Sequence, residues 1–376
     1  MPALLMATFL GFCGFAVLMP VAPLWAVHGG SDEGGAGLVN GVLLTVTVIT
    51  QFTVPALLRR FGWGPTLAAG LVLLGAPAIG FIASDSLPAI LALSAVRGIG
   101  FGILTVTGSA AVAELSDPRT RGAAVGAYGL AIAGPQIVLL PLGSWVAETV
   151  SFSVVFVVAA LPLLGIPASL ALGRVLGDFP QQTATDSDTG AGTPRVALTL
   201  LRPMLLLVGV TLAGGALLTF GPQMVTNPAV VIPALALMEL TAAIVRWWIG
   251  GVADRFGAER FVAPFVLLTV VGVSGVAWAV HVESIPLLLL GSLLLGSAYG
   301  GLQNLTLLMS FAAVTRRHLG LASTMWNVGF DLGSALGSVV VGAIAVWADF
   351  PTALLFTAAF ALLTLPLAFR FGRRAP

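Results

Sequence analysis

Twelve times along its 376 residues the chain runs through a stretch of apolar side chains long enough to cross a bilayer. A helix rising 1.5 Å per residue needs about 20 of them to span the hydrocarbon. The stretches fall near 4–27, 37–58, 66–84, 87–115, 122–147 and 152–174, then near 198–221, 232–252, 261–281, 285–312, 319–347 and 351–371. With no water to bond its N–H and C=O groups, a backbone of this kind is helical in each span. Only 8% of residues are charged against 58% hydrophobic, which leaves too few polar groups to cover a soluble domain. The fold class is therefore an all-α polytopic membrane protein with 12 transmembrane helices. The opening "MPALLMATFL" has no basic leader and runs too far for a signal peptide, so it is expected to stay as the first helix.

Arginine placement gives an orientation. The 16 basic residues are all arginine, and all but Arg97 and Arg246 lie in alternate connections or at the C-terminus. The other connections, such as "HGGSDEGGAG" and "HVES", have none. Positive residues mark the cytoplasmic side, so both termini are expected in the cytoplasm of a multi-pass protein of the cell membrane. The segment "GDFPQQTATDSDTGAGTPR", rich in Thr, Asp, Gly and Pro, divides the spans six and six. The expected organisation is an N-terminal six-helix half at 1–175, a cytoplasmic linker at 176–197 and a C-terminal half at 198–376.

The halves repeat each other at a shift of 195–198 residues. "LLRRFGWGPT" after the second span matches "VADRFGAERF" after the eighth, and "RTRGAAVGAYGLAIAGP" sits where "RRHLGLASTMWNVGFDLG" sits later. In "GGVADRFGAER", Gly250, Asp254, Arg255 and Gly257 follow the pattern Gly, three residues, Asp-Arg, one residue, Gly. The first copy keeps Arg60 but has Pro55 and Arg59 where the later copy has Gly250 and Asp254. The fourth span holds "RGIGFG", the fifth "GLAIAGPQIVLLPLG", and the tenth and eleventh "AYGGLQNLTLLMS" and "NVGFDLGSALG".

These motifs resemble those of the major facilitator superfamily, and the resemblance covers essentially the whole chain. It implies two pseudo-symmetric six-helix halves, a loop motif that latches them, and a transported small molecule bound between them. It also implies proton coupling through Arg97 and an antiporter motif around Gly134 and Pro135, where Val138 and Leu139 replace paired glycines. The tenth and eleventh spans are similar to efflux members of the drug:proton antiporter branch, and the resemblance implies a monomer.

Four ionisable residues lie well inside spans: Arg97, Glu239, Arg246 and Asp331. A charge at the bilayer centre costs about 2.5–3.5 kcal/mol on insertion scales, so such residues face protein or a wet cavity. Glu239 and Arg246 share a face of the eighth span, separated by about 10.5 Å of rise. By depth Asp331 falls between them, and a direct ion pair of Arg246 with Asp331 or Glu239 is expected. Ser323, Asn327, Asp331, Ser334 and Ser338 form a polar stripe, while Gly329, Gly333 and Gly337 permit close packing with a neighbour. A carboxyl that alternates between wet and dry surroundings binds a proton on one side and releases it on the other. The alternative for Asp331 is a permanent salt bridge between helices, and Glu239, Arg246 and Arg97 carry the same pair of readings.

Asn327, Gln303, Asn304, Asn40, Gln51 and Gln136 are candidate cavity-lining polar residues; the alternative is bonding between neighbouring helices. Gln136 follows Pro135 and is a candidate to re-satisfy the backbone there. His28, His281 and His318 lie apart near span ends, so no metal site is expected, and no cofactor. Cys13 is the only cysteine, which excludes an internal disulfide. A net charge of +1 gives no case for nucleic acid, and no nucleophile–base set or phosphate loop suggests an enzyme. The expected activity is proton-coupled efflux of a small amphipathic or drug-like molecule by alternating access. The rivals are proton-linked uptake of a metabolite and a non-transporting receptor or scaffold.

Overall fold

The computed structural model describes residues 1–115, 121–177, 193–225, 228–315 and 319–369. All regular structure among them is helical, and 12 helices are long and apolar enough to cross a membrane. Four spans are single helices in the first half: α1 (Pro2–His28), α4 (Trp63–Gly80), α5 (Leu87–Leu115) and α6 (Arg121–Thr149). In the second half α9 (Thr193–Met224), α10 (Pro228–Phe256), α11 (Glu259–His281), α12 (Ile285–Ala312) and α13 (Leu319–Trp347) are also unbroken. Most of the expected linker, 178–192, lies outside the described residues. Outward faces carry exposed Leu130, Val157, Leu164 and Leu363, as lipid-facing surfaces do.

The three remaining spans, expected as single helices, are broken, each at a proline. The second is α2 (Glu33–Gln51) followed by α3 (Val54–Phe61), with Pro55 in the first turn of α3. Proline has no N–H to give the carbonyl four residues back, and its ring crowds that carbonyl. Just before it, the N–H and Oγ1 of Thr53 both donate to Thr50 O, each at 2.8 Å. Pro162 and Pro167 divide the sixth span into α7 (Phe152–Val158), a 3₁₀ turn and α8 (Ile166–Leu176). Pro366 separates α14 (Phe350–Leu363) from α15 (Leu365–Ala368).

The sequence repeat has a conformational counterpart. Gly62 closes α3 with φ +77° and its N–H on Leu58 O at 2.9 Å; Gly257 follows α10 with φ +84° and its N–H on Ala253 O at 2.8 Å. Both stand in the left-handed region, where a side chain is strained.

The residues form two compact units. The first comprises Met1–Thr183 with Leu217–Ala236 and Ser338–Trp347, so it takes one end of α9, α10 and α13 along with the first half. Its core includes Val17, Leu18, Phe81 and Phe156. The second comprises Ala184–Ala216, Leu237–Gly337 and Ala348–Pro376. There the glycine stripe of α13 packs on α9: Cβ atoms on Gly333 and Gly337 would run into Thr211 Oγ1 and Leu212 O.

Candidate functional site

In the second unit, α10 and α12 touch backbone to backbone. A Cβ on Gly296 would strike Met238 O, and one on Gly300 would strike Ala242 O. That approach brings Tyr299 and Gln303, one turn apart on α12, against the face of α10 that bears Glu239 and Arg246. Gln303 Oε1 accepts from Arg246 Nη1 at 3.0 Å, and Asn304 Nδ2 donates to Arg246 O at 2.8 Å. The Arg246 guanidinium lies 5.9 Å from the Trp326 ring centre, a cation–π distance. Trp326 Nε1 donates to Thr306 Oγ1 at 3.1 Å, which fixes the ring's orientation.

Tyr299 is the hub of this cluster. It interacts electrostatically with Glu239, Asp331 and Arg246 and hydrogen-bonds with Ser334. Its ring centre stands 6.0 Å from that of Phe330, which in turn lies 5.8 Å from Trp326. Glu239, Tyr299, Gln303 and Asp331 are each 7% exposed or less, while Arg246 is exposed. Glu239 Oε1 is buried with no hydrogen-bond partner. A buried acceptor left this way costs about 1–3 kcal/mol, and a charged one more. The site is thus two carboxyls, one guanidinium and three aromatic rings, with one carboxyl oxygen able to take a proton or a donor from a ligand.

The expected ion pair of Arg246 with Asp331 or Glu239 is not the one formed. The guanidinium goes instead to the neutral amide of Gln303 on α12, which the glycine crossing holds against α10. An ion pair among the described residues is Arg202–Glu259 at 3.2 Å.

Arg97 lies in the first unit, 1% exposed. Its Nε donates to Leu74 O at 3.2 Å and its Nη2 to Gly14 O at 2.8 Å, so it joins α5 to α4 and α1 through their backbones. Asn40, expected in a cavity, is 1% exposed. Pro23 leaves Met19 O without its helical donor, and Asn40 Nδ2 fills that place at 2.7 Å. It also donates to Thr219 Oγ1 at 2.9 Å, and Thr219 shares a 2.7 Å bond with Ser338. Gln51 reaches Thr105 Oγ1 at 3.5 Å. Asn327 and Gln136 turn back on their own helices, to Ser323 O at 2.9 Å and Ile132 O at 3.3 Å. Gln136 therefore does not restore Ala131 O, the carbonyl that Pro135 deprives of its donor. Gly250 faces Asn304; Arg255 is exposed, Arg60 lies 5.3 Å over the Phe61 ring, and the side chain of Asp254 lies outside the described residues.

Sequence reasoning passed over Tyr299 and Trp326. Tyr299 is one of only two tyrosines in the chain and sits between Gly296 and Gly300, a signal of close helix contact beside a polar ring. Among the described residues no group of three or more His, Cys, Asp or Glu could hold a metal.

The family model for the Major Facilitator Superfamily matches residues 4–315 and 226–376. The chain is 24% identical over 327 residues to YcaD of Escherichia fergusonii, an MFS-type transporter, covering 86% of this chain and 82% of that one. It is 26% identical over 365 residues to the synaptic vesicular amine transporter of Homo sapiens, covering 90% of this chain and 67% of that one. A mutant form of the nucleoside transporter NupG has the same fold, with a TM-score of 0.78 at 14% identity over 97% of this chain and 98% of that one. The chain belongs to the Major Facilitator Superfamily and is a multi-pass membrane transporter, not an enzyme.

Proposed function

We propose that this transporter works by alternating access and exports a small amphipathic organic molecule in exchange for protons, with Glu239 and Asp331 as the exchanging carboxyls. The observation that carries the reading is the buried Glu239 oxygen without a partner, set beside Tyr299 in a cluster held by side chains. A bound proton removes the cost of that oxygen, and so does a cationic group of a cargo. The aromatic rings of Tyr299, Trp326 and Phe330 suit an apolar cargo body and a cation–π contact. The human relative's name gives an amine as its cargo, which agrees with two carboxyls beside these rings. Arg246, held on Gln303, supplies one positive charge against the two carboxylates, so the ionised pair keeps one net negative charge for a proton or a cationic cargo. In this reading the arginine-bearing ends are cytoplasmic, as are both termini, and one copy of the chain suffices in the cell membrane.

The test is transport in proteoliposomes under an imposed pH gradient with a panel of lipophilic amines. Exchange predicts accumulation of amine on the side of higher proton concentration, and Glu239→Gln lowers the initial rate at least about tenfold. Accumulation on the opposite side would make the protein a proton-linked importer. No proton-dependent flux in wild type with any amine would remove the proposal.

A further inference from the structure

A cavity of about 540 Å³ opens in the first unit between the start of α4 and the end of α8, far along the sequence from the Glu239 cluster. Two glycines build it. Gly173 and Gly64 touch so closely that a Cβ on Gly173 would stand 2.5 Å from Gly64 Cα. Gly62 turns the chain from α3 into α4 with φ +77°. Phe61, Trp63, Leu170 and Leu176 give apolar walls, and Arg174 also lines the space. Arg174 is exposed and makes no ion pair or hydrogen bond among the described residues. A second cation is near the lining, since Arg60 lies 5.3 Å over the ring of Phe61, one of the wall residues.

The lining is amphipathic in a way that matches the membrane–water boundary. Leu170 and Val175, on the same turns of α8 as Arg174, are 43% and 52% exposed and face outward. Trp63 is only 9% exposed and sits at the end of its span, where indoles gather at headgroup level. Among the described residues neither guanidinium has a carboxylate partner, and beside the apolar walls and the outward-facing Leu170 they complement an anion that carries hydrocarbon. We propose that this cavity holds the headgroup of an anionic phospholipid, with its phosphate on Arg174 and its chains leaving past Leu170. Basic pockets beside spans take such headgroups. The binding needs only that this end of the bundle meets headgroups, and it holds whichever cargo the transporter carries.

The experiment is native mass spectrometry of the full chain released from mixed phosphatidylglycerol and phosphatidylcholine micelles. Wild type is expected to retain phosphatidylglycerol about fivefold over phosphatidylcholine. Arg174→Gln, an exposed site that ties no helices together, abolishes that preference, while Arg260→Gln in the second unit keeps it. Equal retention of the two lipids by wild type, or an unchanged preference in Arg174→Gln, overturns the proposal. Excess glycerol 3-phosphate is the last arm: loss of the bound lipid to it would assign the cavity to a free phosphate compound.

Discussion

Arg97 in the first unit and Glu239 in the second are both more than nine-tenths buried, yet they are held in opposite ways. Arg97 spends its donors on main-chain carbonyls of α1 and α4, which move only if those helices move. Glu239 stands among side chains and keeps one oxygen without a partner. A backbone-held cation fixes the relation of three helices. A carboxyl surrounded by side chains changes its partner by a rotamer change or a proton, at far smaller cost. The difference separates a charge tied to the backbones of neighbouring helices from one that side chains surround, and on the proposed function only the second exchanges protons.

The largest effect that would break this contrast is on stability. Arg97→Ala removes charge-assisted bonds worth about 1.5–3 kcal/mol each and leaves a cavity. Thermal unfolding in detergent is expected to fall sharply, while Glu239→Gln, of nearly the same shape, stays within about 1 kcal/mol of wild type. Similar losses in the two variants would erase the distinction. Next in size is Gly300→Val, whose side chain would collide with Ala242 O and push α12 from α10. A loss of about 1–3 kcal/mol is expected from such overpacking. Transport should fall further than stability, because Tyr299 and Gln303 leave Glu239 and Arg246 together; a normal transport rate would show that the crossing does not position the cluster.

Asn40→Ala should cost about 1–3 kcal/mol, since Met19 O is left without a donor and Thr219 loses one of its bonds. Asn40→Asp has the shape but lacks the donor, and should not rescue it. The smallest effect is expected at the paired left-handed glycines. Gly62→Ala and Gly257→Ala should each cost about 1 kcal/mol, read as matching shifts in thermal midpoint. A large difference between them would mean that the two copies of the loop have taken different structural roles.

The spans were legible because bilayer thickness sets a length and composition reveals it. The breaks at Pro55, Pro162 and Pro366 were written in the sequence too, but an apolar run looks continuous across a proline, and hydropathy does not register a missing N–H. The four charges set inside spans were found by the same contrast with their surroundings. Their partners were not. Depth along a helix put Asp331 between Arg246 and Glu239, whereas the partner is chosen by how closely two helices approach. Here that is decided by Gly296 and Gly300, residues with no side chain to draw notice. For Asn40 the sequence left cavity lining and bonding between helices open, because its bond depends on a carbonyl that Pro23, 17 positions earlier in the sequence, has left without a donor.

The central claim is that Glu239 gives up a proton when cargo binds. Addition of a lipophilic amine to purified protein in weakly buffered detergent tests it directly, with binding followed in parallel by calorimetry. Wild type should release protons on binding, and Glu239→Gln should bind the amine with release abolished or greatly reduced. Binding with no release from wild type, or undiminished release from Glu239→Gln, would contradict the account and leave Glu239 as a structural residue of α10.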